Sequence, residues 1–533
     1  YFPDYKKINP NGKGLVLAFG TRSNDMYQKV APLSSLEVRE LLGTNSFVEL
    51  EKKADEKSLP VSTYCLWKLQ NEVKGSLSLF PHPIFAKKKK GDVKPTYVTF
   101  RGGKKNPLHN WYSFPEGYSP EFVEYILDTH IKHARVVYDP FGGTGVTPLV
   151  AAKRGLPAFY SEVNPLLQFL VKTKIAASAL SEKGRAKIVT TLEKFSTELT
   201  SRLATAISDE RLRGTYSATF KDSTFFDKDT FELVLKVRTL LDDTAYTSPL
   251  VADIVSVAVV NALIPSSLLQ RAGDVRYKTE KELARKTDFV KTIEENLRKI
   301  AEDIQRIEPL PITPHLITEN AKRIGTIPQL NIDAVITSPP YLNGTNYFRN
   351  TKVELWFLRS IANQNDLSGF RQAAVTAGIN DVSQRKQLEF TTPKIKEIVA
   401  VLKRKTYDQR IPKMVSDYFQ DIAKVFSNLK PHLKQNADIA IDIGDSMYSG
   451  VKVPTDELLV DVLEKIGYEF KQSIILRKRI SRNGETLKQV LLLFKNSNVS
   501  TAEKGIAPNW KNDWKTFKKE LPHKNHPFAK RNW

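Results

Sequence analysis

The stretch ARVVYDPFGGTGVTPLVAAKRGLPAFYSEVNP, residues 134–165, decides the fold. Residues 134–139 are rich in valine and read as a strand that stops at an acid. Gly142, Gly143 and Gly145 then follow within DPFGGTG, Asp139–Gly145. Glycines at that density let the backbone turn with positive φ and let another molecule approach it closely. VTPLVAAKRG reads as a helix ended by Gly155, and LPAFYSEVNP as a second strand. Strand, glycine turn, helix and strand open a doubly wound α/β sheet, so the expected fold class is α/β. Ligands of such sheets sit at the carboxyl ends of the strands.

The glycine turn has neither the G-x-G-x-x-G spacing nor a G-K-[ST] ending, so it does not cradle phosphates. It points to a nucleoside. Glu162, ending the second strand, can accept hydrogen bonds from both ribose hydroxyls. S-adenosyl-L-methionine, adenosine with an amino-acid tail, fits this pattern. Asp139, Phe141, Gly142, Gly143, Thr144, Gly145 and Glu162 are the candidate cofactor residues.

A second stretch, NIDAVITSPPYLNGTNYF at 331–348, places a buried strand against Ser338-Pro339-Pro340-Tyr341. Two prolines make a stiff turn. Ser338 offers a hydroxyl acceptor, Pro339 a carbonyl held by the Pro340 ring, and Tyr341 a flat face for stacking. An exocyclic amine on a nucleobase is a poor nucleophile, because its lone pair is delocalised. Two acceptors on its hydrogens hold it pyramidal, and one can take a proton as the new bond forms. A base inside a duplex is out of reach, so it must swing into the pocket.

Composition agrees. The chain has 533 residues, enough for two to four domains, with net charge +22 and pI near 9.6, which favours a polyanion such as nucleic acid. Residues 471–533 hold 15 Lys/Arg against 4 Asp/Glu. The single cysteine, Cys65, has no proline before it, which disfavours carbon-5 cytosine methylation through a Pro-Cys nucleophile. One cysteine cannot form an internal disulfide, and the eight histidines show no metal-ligand spacing, so no metal is expected. We find no apolar run of about 18 or more residues, so no membrane span is expected.

Five regions follow. Residues 1–105 are mixed, include the lysine run 87–90, and are a candidate DNA-contacting region. Residues 106–170 are the cofactor half of the core. Residues 171–311 carry long amphipathic patterns and read as a helical insertion, a candidate for target recognition or a plain scaffold. Residues 312–500 are the catalytic half, and 501–533 a basic tail. In the insertion Arg276 and Lys278 are candidate phosphate contacts, as are Lys478, Arg479 and Arg482 near the C-terminus.

On DPFGGTG and TSPPY the chain resembles the DNA amino-methyltransferases, specifically the cytosine-N4 group of restriction–modification systems. The resemblance covers roughly residues 107–170 and 312–497. It implies a Rossmann-like methyltransferase sheet, S-adenosylmethionine as donor, and double-stranded DNA as substrate. A restriction endonuclease acting on the same site is a candidate partner, and the location is the cytoplasm of a prokaryotic cell. WYSFPEGYSPEFVEYIL is similar to the family's segment over the methionine end of the cofactor, adding Tyr118 and Ser119. FYSEVNP adds Asn164. TENAKRI, with Asn320 where the family usually has Asp, adds an adenine contact. Serine at 338, where N6-adenine members usually carry Asp or Asn, implies cytosine. N6-adenine methylation, base methylation of RNA and a DNA-binding regulatory subunit remain the alternatives.

Overall fold

A computed structural model describes residues 97–99, 103, 106–114, 117–272, 274–342, 347–481 and 484–497. Cys65, the lysine run, Arg482, the tail from 501 and nearly all of 1–105 lie outside the described residues.

Seven strands form one sheet: β1 (Val137–Asp139), β2 (Ala158–Ser161), β3 (His315–Thr318), β4 (Ile332–Thr337), β5 (Leu433–Gly444), β6 (Glu469–Ile480) and β7 (Thr486–Lys495). Their order across the sheet is β6-β7-β5-β4-β1-β2-β3. β7 runs opposite in direction to the other six. The chain leaves β1 toward one edge through β2 and β3, and builds the other side through β4 and β5. A crevice opens between β1 and β4 at their carboxyl ends, where such sheets bind ligands. The inner strands are apolar on both faces because helices cover both. Pro120–Thr129 and Val146–Lys153 bury one face with Phe122, Ile126 and Val150. Arg410–Leu429 and Thr455–Lys465 bury the other with Met414, Tyr418, Leu459 and Leu463. Ser119 takes the N-cap position of the first helix, although its hydroxyl makes no capping bond.

The seam between β1 and β4 is short, with Val137 opposite Ala334 and Tyr138 opposite Val335. Carboxylates hold both ends. Asp333 accepts the amides of Arg135 and Val136 at 2.8 Å each, and Asp139 accepts the Thr337 hydroxyl at 2.6 Å.

Between β2 and β3 the chain is helical apart from one small hairpin, Leu269–Ala272 with Asp274–Tyr277. Apolar residues recur at helical spacing, as Val189, Leu192, Phe195, Leu199 and Leu203 do along Glu182–Thr205. Pro249–Ser266 departs from the expectation of no long apolar run: it is long and apolar enough to cross a membrane. Most of it is buried, packed between Lys228–Thr247 and Phe289–Arg306, and a helix apolar all round suits a core position.

This helical core continues into the segment after the Ser-Pro-Pro-Tyr turn, through Val353, Leu355, Trp356 and Phe357. The Trp356 ring stacks on Phe231 at 6.1 Å and donates its indole N–H to the Leu212 carbonyl at 3.1 Å. Glu354 is fully buried, paired with Arg271 of the hairpin, and accepts the Tyr112 hydroxyl at 3.2 Å. Arg271→Met should therefore lower stability by roughly 3 kcal/mol, since Glu354 is left as an unpaired buried charge. Urea unfolding measures this, and Glu354→Gln added to Arg271→Met should restore part of the loss.

Candidate active site

Asp139 closes β1 and anchors the glycine turn. Its Oδ1 accepts the Phe141 amide at 3.0 Å as well as Thr337, and its Oδ2 accepts the Tyr118 hydroxyl at 3.3 Å. Burial pushes its pKa up to about 6. Gly145 has φ +86° and a Cβ there would lie 2.8 Å from Val171, while one on Gly142 would lie 2.9 Å from the Tyr160 ring. The turn is thus pressed against β2 and the helix Pro165–Ser178, with no room for a side chain at Gly142 or Gly145. Beneath it the buried Lys174 donates to the Thr144 carbonyl at 2.8 Å, and burial lowers its pKa to about 7.

Glu162 ties the turn to β2. One carboxylate oxygen accepts the Gly143 amide and the other the Asn164 amide, both at 2.8 Å. Each oxygen keeps a second lone-pair site. Burial raises the Glu162 pKa to about 7. Asn164 caps the following helix through the Leu166 amide at 3.0 Å and donates to the Thr351 hydroxyl at 3.0 Å. That bond links the acid's strand to the chain beyond the proline turn.

At the end of β4 the Tyr341 hydroxyl donates to Asp442 Oδ2 at 2.9 Å. The Gln489 amide donates to the Tyr341 oxygen at 2.9 Å and to Asp442 at 2.9 and 3.0 Å. Residues on β5 and β7 thereby fix the ring. Burial raises the Asp442 pKa to about 7. The Ser338 hydroxyl has no hydrogen-bond partner among the described residues.

One pocket of about 1130 Å³, counted to its open mouth, is lined by both sets. It brings Tyr118, Phe141, Gly142, Gly143, Thr144, Glu162, Asn164 and Asn320 together with Ser338, Pro339, Pro340 and Tyr341. Asp139, Ser119 and Gly145 stand behind this wall. Asn320 also caps a short turn through the Lys322 amide at 3.0 Å. The lining cation, Lys322, donates to the Gln372 and Ala374 carbonyls.

The phosphate-contact candidates lie apart from the pocket. Lys478 and Arg479 are exposed on β6, with Arg479 donating to the Asp445 carbonyl at 3.2 Å. Arg276 and Lys278 have internal partners instead. Arg276 pairs with Glu282 through two bonds of 2.8 Å. Lys278 donates to the carbonyls of Pro265 and Ser267 at 2.7 Å each, closing the end of Pro249–Ser266.

Among the residues that escaped the sequence reading are Asp381, which lines the pocket, and Lys174, Asp442 and Gln489, which support it. Two left a trace. Lys174 falls on the buried stripe Leu166, Leu170, Ala177, and Asp442 interrupts the buried strand ADIAIDIG.

The lining of the pocket suits a nucleoside with a cationic tail. Buried acids and the rings of Phe114 and Tyr347, stacked at 6.1 Å, line or flank it. No protein-family profile matches the chain. It is similar to the Type II methyltransferase M.BsoBI of Geobacillus stearothermophilus, 25% identical over 447 residues, covering 73% of this chain and 84% of that protein. It is similar also to the Type II methyltransferase M.AvaI of Nostoc sp., 21% identical over 411 residues, covering 71% and 83%. A solved rRNA methyltransferase, aviRa from Streptomyces viridochromogenes, aligns at TM-score 0.27 and 10% identity over 73% of this chain and 90% of that one, too distant to bear on activity. The sheet order and the glycine turn make the fold Rossmann-like, and together with the similarity to the two Type II methyltransferases they imply S-adenosyl-L-methionine as the methyl donor.

Proposed function

We propose that this protein methylates the exocyclic N4 amine of a cytosine in duplex DNA, as the modification enzyme of a bacterial restriction–modification system. The carrying observation is the single pocket shared by the glycine turn, Glu162 and the Ser338–Tyr341 turn. The similarity to Type II methyltransferases and the charge of +22 support DNA as the polyanion.

The donor supplies an electrophilic methyl carried on a sulfonium. Glu162 holds the ribose hydroxyls on its remaining lone pairs, and Asn320 the adenine. Tyr118 closes the amino-acid end. Tyr341 stacks on the flipped base. Ser338 Oγ and the Pro339 carbonyl accept the hydrogens of the base's amine, so its lone pair is freed from the ring. One acceptor, directly or through water, passes the released proton outward. Lys478 and Arg479 contact phosphates, and the helical insertion presents residues to the target.

Incubation with plasmid DNA and labelled donor, then digestion to nucleosides, tests the assignment. Label is expected in N4-methylcytosine. Label confined to N6-methyladenine would overturn the cytosine assignment, and label taken up only by RNA would overturn DNA.

Binding should also depend on pH. The site acids Asp139, Glu162 and Asp442 sit at about 6, 7 and 7, against roughly 4 in an unfolded chain. Between those limits the folded protein holds more protons, so their contribution to stability declines as pH rises from about 4 to 7. A cationic ligand favours the ionised acids. Donor affinity should therefore increase from about pH 6 to 8 with proton release, as calorimetry in buffers of different ionisation enthalpy would read.

A further inference from the structure

β6 and β7 run on past the rest of the sheet. β5 ends at Gly444, opposite Gln489, the residue bonded to Tyr341. The two strands continue as a ribbon through Lys478 opposite Lys488, Arg479 opposite Leu487 and Ile480 opposite Thr486. At about 3.3 Å per residue, Ile480 lies roughly 10 Å beyond Gln489, on the edge where β4 delivers its turn. Backbone and hydroxyl bonds from Ser481 to the Glu485 carbonyl, 2.8 and 2.9 Å, close the ribbon there.

Ile480 is 74% exposed. An aliphatic side chain at the end of a projecting ribbon gains nothing from the protein's own core. Its surroundings are cationic on both faces: Lys478 and Lys488 share its face, and Arg477 and Arg479 take the other. An apolar tip set among phosphate-seeking cations is the composition of side chains that wedge between base pairs. Extruding a base also leaves unstacked neighbours and an unpaired partner in the duplex.

We propose that the β6–β7 ribbon enters the duplex and that Ile480 fills the stacking space left by the extruded base, while Lys478 and Arg477 grip the flanking phosphates. This rests on the reading of a flipped target base in duplex DNA. The chemistry that recognises the ribbon is an opened base stack, not a base sequence.

The methylated sequence, read from plasmid DNA treated with the wild-type protein, supplies two synthetic duplexes. One carries the target base opposite its normal partner, the other opposite an abasic site, where extrusion disturbs less. Ile480→Ala should lose about 10-fold in kcat/KM on the paired duplex and under about 3-fold on the abasic one, with Ile480→Leu close to wild type on both. Equal losses on the two duplexes, or no loss on either, would overturn the ribbon assignment and leave DNA methylation standing. A wild-type protein that transfers no methyl to DNA would overturn the parent reading, and the ribbon's role with it.

Discussion

Tyr341→Ala should lower single-turnover methyl transfer by about 100-fold while donor affinity stays near wild type. Two losses combine. The flipped base loses a stacking face, about 1–3 kcal/mol. Asp442 and Gln489, arranged around the phenol at 2.9 Å, lose their shared partner inside the protein. Tyr341→Phe separates the two, since it keeps the ring and deletes only the hydroxyl. Its expected loss is about 10-fold or less, on the order of one hydrogen bond. A loss of donor binding as large as the loss of transfer in Tyr341→Ala would instead put the ring in the donor's wall.

Glu162→Ala should weaken donor binding by about 100-fold or more. It removes the proposed diol acceptor and strands the Gly143 and Asn164 amides, each bonded at 2.8 Å in a buried setting. Glu162→Gln is the sharper variant. It preserves shape, yet one of its two positions becomes an NH2 that faces a backbone N–H, so a loss of about 30-fold or more is still expected. Isothermal calorimetry reads both. Binding unchanged in Glu162→Gln would show that the acid shapes the turn and does not touch the donor.

The parts of this site set by local chemistry were readable in advance. The glycine turn, its acid and the proline turn are each contiguous, and each imposes its backbone on a few residues. The alternation of strand and helix gave the sheet for the same reason. Contacts made across the sheet had no such local signal. Asp442 and Gln489 reach Tyr341 from strands far along the chain, and Lys174 reaches Thr144 from beneath. The partners of Arg276 and Lys278 were hidden from the sequence on the same ground. A sequence shows that a cation is present, but the carbonyls at the end of Pro249–Ser266 and the Glu282 carboxylate that occupy these two become neighbours only in the fold. Pro249–Ser266 was missed as a long apolar element because Asp253 and Asn261 interrupt its run.

The seam between β1 and β4 acts as a ruler. On the proposed reading, donor and acceptor are held by different strands, the donor by the glycine turn after β1 and the acceptor by the Ser-Pro-Pro-Tyr turn after β4. A slip of one residue would carry one past the other by about 3.3 Å and turn every side chain to the wrong face. Methyl transfer does not tolerate such an offset, since misplacement by about 1 Å can already cost about 100-fold. With two registered pairs, the seam's own hydrogen bonds are few. Asp333 at one end and Asp139 at the other fix its setting, so the reach between the two halves of the reaction is calibrated by a pair of carboxylates, one of them at the far end of the seam from the pocket.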